Sequence, residues 1–292
     1  MPNLKEVRTR IESVNSTMQI TSAMKLVAAS KLRKAQGAIL QLRPYAQKLQ
    51  EFLQGVSTGL DQSDEAVYSE KREVKNVLLV VVTSNRGLCG AFNSNVIKQA
   101  DRLINTTYKK QYGAGTLSLY CIGKKGAEYF GNHGYPVVTE NLELFDKLEY
   151  ENAMPIAESL MADFAAKKYD KIEIIYNQFK NAAMQILVTE QFLPILPPEN
   201  DGSALKVDYI FEPNKEDIIR ELVPKSLKIQ FFKSVLDSFA SEHGARMTAM
   251  HMATDNATEL LKDLKLSYNK ARQASITNEI LEIVSGAEAL KG

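Results

Sequence analysis

Tryptophan is absent from this 292-residue chain, cysteine occurs twice and histidine three times. Each shortage closes off a class of protein. Two cysteines, Cys89 and Cys121, cannot make a disulfide framework, so the chain fits a reducing compartment or carries two inert buried thiols. His133, His243 and His251 form no cluster with cysteine or carboxylate at metal-ligand spacing, and no Ser/His/Asp constellation stands out. Neither a metal site nor a catalytic residue is expected. Lys plus Arg (36) almost cancels Asp plus Glu (35), which leaves no general field for nucleic acid; any basic character that matters is local. The longest apolar run, Val77 to Val82, is too short to span a bilayer. The N-terminus, "MPNLKEVRTRIESV", contains acids and lacks both a signal-peptide apolar block and a transit-peptide composition.

What the sequence does hold is periodicity. Leu4, Val7, Ile11, Val14 and Met18 step by three and four, and Ala28, Leu32, Ala35, Ile39, Leu42, Ala46, Leu49, Leu53 and Val56 resume the same phase. Thr21 and Lys25 interrupt it, and Pro44 is expected to bend or break the helix. A 3.5-residue repeat of this length predicts a supercoiling helix roughly 80 Å long. A second seam runs through Phe232, Leu236, Phe239, His243, Arg246, Met250, Ala253, Ala257, Leu260 and Leu264, then Ala271 and Ala274 toward Leu281. It predicts a helix roughly 100 Å long from about residue 215. Neither stripe can be buried alone, so the two helices are expected to pair antiparallel. The C-terminal one then outruns its partner over "KARQASITNEILEIVSGAEAL", where Ile276, Ile280, Leu281, Ile283 and Val284 point in different directions and call for a surrounding sleeve.

Between them, strand and helix signals alternate: strands at 77–82, 117–122, 135–138, 171–176 and 184–189, helices at 91–110, 124–130 and 153–168. That alternation predicts a mainly parallel, Rossmann-like sheet covered by helices. The division is 1–58 for the first coiled-coil helix, 74–205 for the α/β domain and 212–292 for the second helix, with the two helices forming one discontinuous domain.

The stretch "VLLVVVTSNRGLCGAFN" has the outline of a phosphate cradle, but it offers only Gly87 and Gly90 and no lysine after them, short of either nucleotide fingerprint. The glycines of "GKKGAEYFGNHGYP" are no more complete. Both read as sharp strand-to-helix turns, with Cys89 packed as a small apolar residue. No cofactor is expected. On the first helix "SKLRKAQ" groups Lys31, Arg33 and Lys34 near Lys25, which suits an acidic partner. Met247, Met250 and Met252, followed by Arg272 and Gln273, suit a partner-binding helix.

These stretches resemble the gamma-subunit family of F-type ATP synthases. The resemblance is carried by "ITSAMKLVAASKLRKAQ" (20–36), "RPYA" (43–46), "TSNRGLCGAFN" (83–93), "DYIFEP" (208–213), "ARMTAMHMATDNA" (245–257) and "YNKARQASITNEILEIVSGAEAL" (268–290), and is weakest over residues 100–200. It implies a central rotor shaft: an antiparallel coiled coil inside a ring of alternating alpha and beta subunits, with an α/β foot beside the epsilon subunit and the ring of membrane c subunits. It implies that Met24 and Lys25 face the beta subunit's acidic lever arm, with Lys31, Arg33 and Lys34 adding attraction. Arg272, Gln273 and Thr277 meet catch loops at the base of the sleeve, Ile283 and Val284 turn in an apolar bearing, and Tyr209 and Phe211 approach the c ring and epsilon. The chain is expected to catalyse nothing itself, to bind no nucleic acid, and to reach the membrane only through the complex, on the cytoplasmic face of a bacterial inner membrane. Where the family reads "GLCGG", this chain has Ala91, expected as the first helical residue, where the change costs little. A nucleotide-dependent enzyme and a coiled-coil adaptor are the competing readings.

Overall fold

The computed structural model describes residues 4–56, 64–70, 72–195 and 215–289. It divides into two compact units, one of Met1–Ala28 with Met247–Gly292 and one of Ala29–Arg246. Two long helices contribute to both: α1 (Leu4–Val56) and α6 (Lys215–Ala289).

The larger unit is built on five strands, β1 (Val77–Val82), β2 (Leu117–Ile122), β3 (Val137–Asn141), β4 (Lys171–Phe179) and β5 (Gln185–Leu193), in the order β3-β2-β1-β4-β5. All neighbours run parallel except the β4–β5 hairpin. β1 is apolar at every position because it is central and buried on both faces. Val77, Leu79 and Val81 pack under α2 (Phe92–Asn105) and α4 (Lys124–Asn132), where Val96, Ala100, Ile104 and Phe130 are buried; the short α3 (Lys109–Gly113) follows α2 and buries none of its residues. Leu78, Val80 and Val82 pack under α5 (Tyr150–Ala165), where Leu160 and Phe164 are buried.

That second layer holds a surprise. Val223, Leu227, Phe231 and Val235 of α6 belong to the same core as the sheet. At about 1.5–3 kcal/mol for each fully buried side chain, the start of α6 is fastened to the domain rather than merely joined to it. This explains why the apolar residues of α6 lose a clear phase before residue 246: the helix is enclosed on several sides.

In the smaller unit the two helices pair antiparallel. Thr21 and Thr254 share a 2.8 Å hydroxyl hydrogen bond, and Thr258 Oγ1 donates to Met18 Sδ at 3.4 Å, so the register falls along α1 as it rises along α6. The heptad positions of α1 from Leu4 to Leu49 are all buried or half-buried, Thr21 and Lys25 included.

Several expected boundaries move. The helix expected at 91–110 is two helices, because the β-branched pair Thr106–Thr107 ends the first; Thr106 Oγ1 bonds back to Arg102 O at 2.7 Å and Tyr108 turns into the core. Ala91 is not helical but the residue that caps α2, at φ −83° and ψ 4°, a conformation open to any residue. The third strand begins at Val137, not Tyr135, and the last two strands extend to Phe179 and Leu193. α5 begins at Tyr150 and ends before Lys167, whose φ of 61° turns the chain out, with Lys168 N donating to Asp163 O. α1 runs unbroken through Pro44, which is exposed, so the carbonyl it leaves unpaired faces water. In α6 the seam residue is Leu261, buried, and not Leu260, which is exposed.

Candidate functional site

The corner after β1 comes first, because a doubly wound sheet binds its ligand in the crevice at the C-terminal ends of its strands, where the strand order reverses. Here the reversal lies at β1, between β2 and β4. Thr83 accepts the Gly126 amide at 2.8 Å on Oγ1. Ser84 N donates to Asn93 Oδ1 at 2.9 Å, Ser84 Oγ to Arg86 O at 2.7 Å, and Asn93 Nδ2 to Cys89 Sγ at 3.3 Å. Gly123 is obligatory: at φ +95° an added Cβ would stand 2.2 Å from Thr83 O. Cys89 is buried, and burial pushes its thiol up from the usual value, the opposite of an activated nucleophile.

Two carbonyls of the corner, those of Arg86 and Gly87, are taken by the chain's own helix. Arg246 Nη2 of α6 donates to Arg86 O at 2.9 Å and Gly87 O at 3.2 Å, while its Nη1 pairs with Glu242 Oε1 at 2.5 Å. Both partners of that ion pair are buried. Burial raises Glu242 above its ordinary value, with Arg246 opposing the shift, and holds His243 down to about 3, with Arg246 and Lys31 adding repulsion. A cation seated on two carbonyls is the inverse of an anion cradle. Asn177 Nδ2, meanwhile, closes the floor by donating to Phe92 O at 3.1 Å. Among the described residues, no group of three or more His, Cys, Asp and Glu side chains is placed to hold a metal ion.

The remaining candidates are surface. Met24 and Lys25 are half-buried in the helical pair; Lys31, Arg33 and Lys34 are exposed, and the charge of Lys31 also reaches Glu242 and His243. Arg272, Gln273 and Thr277 are exposed, although the Thr277 hydroxyl is spent on Gln273 O at 2.9 Å. Carrying the Thr21–Thr254 register to the start of α1 sets Leu4 opposite about residue 271. Beyond that point no described residue of α1 stands opposite α6, and Ile276, Ile280, Leu281, Ile283 and Val284 are each at least half exposed, Ile283 at 70%. Tyr209 and Phe211 lie outside the described residues. Sequence reasoning set Arg246 on the seam of the second helix, a charge at an apolar position, but missed the buried Asp237 and its pairing with Arg43, whose side chain stays 43% exposed.

Two paired helices, an α/β domain whose corner after β1 holds the chain's own arginine, and an exposed apolar helix end suit a protein that couples others. The comparisons narrow the class. The ATP synthase family model matches residues 3–290. The ATP synthase gamma chain of Christiangramia forsetii is 58% identical with both chains covered in full, that of Flavobacterium johnsoniae 59% over the same extent, and that of Chlorobaculum tepidum 46%. The chain belongs to the ATP synthase gamma-chain family. Solved structures agree in fold: a chain of the Tetrahymena thermophila mitochondrial ATP synthase central stalk and c ring (TM-score 0.57, 25% identity, 80% of this chain and 99% of that one), and one from the Euglena gracilis F1 and c-ring assembly (TM-score 0.70, 22% identity, 98% and 94%).

Proposed function

We infer that this chain is the central-stalk rotor subunit of a proton-translocating F-type ATP synthase, a non-catalytic part that couples rotation of a membrane c ring to the catalytic beta subunits. The observation that carries the reading is the unpartnered, apolar end of α6, which a water-exposed protein keeps only if something surrounds it. No described helix is long and apolar enough to cross a membrane. Membership of the ATP synthase gamma-chain family makes the chain a peripheral subunit of a membrane complex. Its side is proposed as the cytoplasmic face of a bacterial inner membrane.

The partners are the alpha and beta subunits around the helices, with epsilon and the c ring at the α/β foot; the coiled-coil helices (1–58 and 212–292) and the foot domain (74–205) divide those roles. Met24 and Lys25 contact the beta lever arm, and Lys31, Arg33 and Lys34 attract it. Arg272, Gln273 and Thr277 meet catch loops that favour discrete angles, Ile283 and Val284 fill the bearing, and Tyr209 and Phe211 belong to the c-ring and epsilon contact. An asymmetric rod presents a different face to each of three beta subunits, so each angle favours a different open or closed state through differential contacts. Mixing the chain with its alpha and beta subunits should give a complex with stimulated ATPase activity. Replacing Arg272 and Gln273 by alanine should change turnover while the isolated chain stays folded. Failure to associate sinks the rotor reading; unchanged turnover sinks the catch role.

A further inference from the structure

The "RPYA" stretch of α1 carries a charge that the rotor reading leaves without a task. Arg43 Nη2 donates to Phe179 O, the last residue of β4, at 2.8 Å and to Asp237 Oδ1 of α6 at 3.2 Å. Asp237 is fully buried and its other oxygen has no protein partner; neither has Ser238 Oγ or Ser241 Oγ beside it on α6. One guanidinium therefore joins both long helices to the backbone of the sheet.

The β4–β5 hairpin is pegged to α6 on either side of that junction. Below it, Gln230 Nε2 and Tyr176 Oη both donate to Glu190, the former to Oε1 and the latter to Oε2, each at 2.8 Å. Above it, Gly244 lies so close to the hairpin turn that an added Cβ would stand 3.2 Å from Ala182 Cα and O. The turn itself is stiffened by Asn181 Oδ1, which accepts the Ala183 and Met184 amides at 3.0 and 2.7 Å. Through Arg43, α1 reaches the same hairpin directly.

Stability alone gives no reason for this arrangement. A pair with a buried carboxylate commonly does no better than apolar side chains of similar volume, whereas one guanidinium nitrogen shared between a carbonyl and a carboxylate ties three elements at a single point. We propose that Arg43 is a positioning residue for torque transfer: it locks the β4–β5 hairpin to both helices, so that a turn imposed on the α/β domain passes to α1 and α6 together without slip.

This rests on the rotor reading, and the test separates the two. Complexes are assembled from the alpha and beta subunits with the unaltered chain, Arg43→Met, Arg43→Lys and the double variant Arg43→Met/Asp237→Leu. If the unaltered chain fails to stimulate ATPase activity, the rotor reading falls. If it stimulates, the expectation for Arg43→Met is amide exchange in residues 180–184 about tenfold faster, the equivalent of losing one charge-assisted hydrogen bond. Unloaded ATPase activity is retained, and torque on a viscous load is lost. Arg43→Lys, which keeps the charge but not the rigid planar guanidinium, should lie between. The double variant recovers thermal stability because the buried carboxylate is gone, yet it still slips under load. Full torque in Arg43→Met, or torque returning together with stability in the double variant, overturns the proposal and leaves Arg43 as structural.

Discussion

Replacing Arg246 by methionine tests whether the corner after β1 is a clamp rather than a vacant ligand site. The substitution keeps most of the apolar stem and removes two charged donations to Arg86 O and Gly87 O and the ion pair to Glu242. With the side chains only 9% and 8% exposed, solvent replaces little of what is lost. Breaking a buried pair from one side costs about 3–5 kcal/mol, because the remaining charge stays buried. At roughly 2–4 °C per kcal/mol for a unit of this size, melting should fall by about 6–20 °C. The loss has a sign in pH. Glu242 is already held above its ordinary 4.5, so its contribution is fullest below 4.5 and is lost as pH rises through the folded value. Without Arg246 that folded value climbs further, and the deficit is largest near pH 8. His243, relieved of one repelling charge, moves back up from about 3, so mild acid costs the variant less than it costs the parent. Calorimetry at pH 8 and pH 5.5 should show the deficit shrinking on acidification, and Glu242→Gln in the same background should flatten it. A variant within about 1 kcal/mol of the parent, or an equal deficit at both pH values, would refute the reasoning.

Three further outcomes follow from the same geometry. His243, neutral in the fold down to about 3 against an ordinary 6.5, contributes stability above 6.5 that drains away at up to about 1.4 kcal/mol per pH unit as pH falls toward 3. His243→Gln should therefore shift the acid-unfolding midpoint, followed by circular dichroism, to lower pH. Gly123→Ala drives a Cβ into Thr83 O and should cost about 3 kcal/mol or more by urea unfolding, since both the contact and the positive φ oppose it. Replacing Ile280 and Ile283 by serine should make the isolated chain less prone to self-association by light scattering while weakening its capture by alpha and beta subunits; unchanged behaviour in both assays would show that the helix end is not a bearing surface.

The heptad of α1 was legible residue by residue because a helix packed on one side has only one apolar phase, and even Thr21 and Lys25 follow it. In α6 the same method slipped by one residue at Leu260, because Leu260 and Leu261 are adjacent and equally apolar and only Leu261 is buried. β1 was legible for the opposite reason: a run with no polar position at all belongs in the centre of a sheet. The break at Thr106–Thr107 was missed because β-branched residues lower helix propensity only slightly, and the pair ends the helix here together with the burial of Tyr108 in the core. The clamps were beyond reach altogether. What Arg43 and Arg246 hold depends on Asp237 and Phe179, and on Arg86 and Gly87, partners more than a hundred positions away in the chain.

Along α6 the two kinds of surface a rotor needs are kept apart in sequence. From Gln230 to Arg246 the helix buries hydroxyls, carboxylates and a guanidinium, and Gln230, Asp237 and Arg246 have directional partners outside their own turn that resist sliding. From Arg272 onward it offers exposed aliphatic side chains and two long donors, with no fixed partner across the helix. Apolar contact is non-directional, so an aliphatic helix end can turn against a smooth wall with little change in energy. A buried hydrogen bond, by contrast, is lost within a fraction of an ångström of displacement. The glycine corner after β1 belongs to the first kind. Its resemblance to a phosphate cradle comes from the shared need for a sharp strand-to-helix turn, and what it grips is the chain's own arginine.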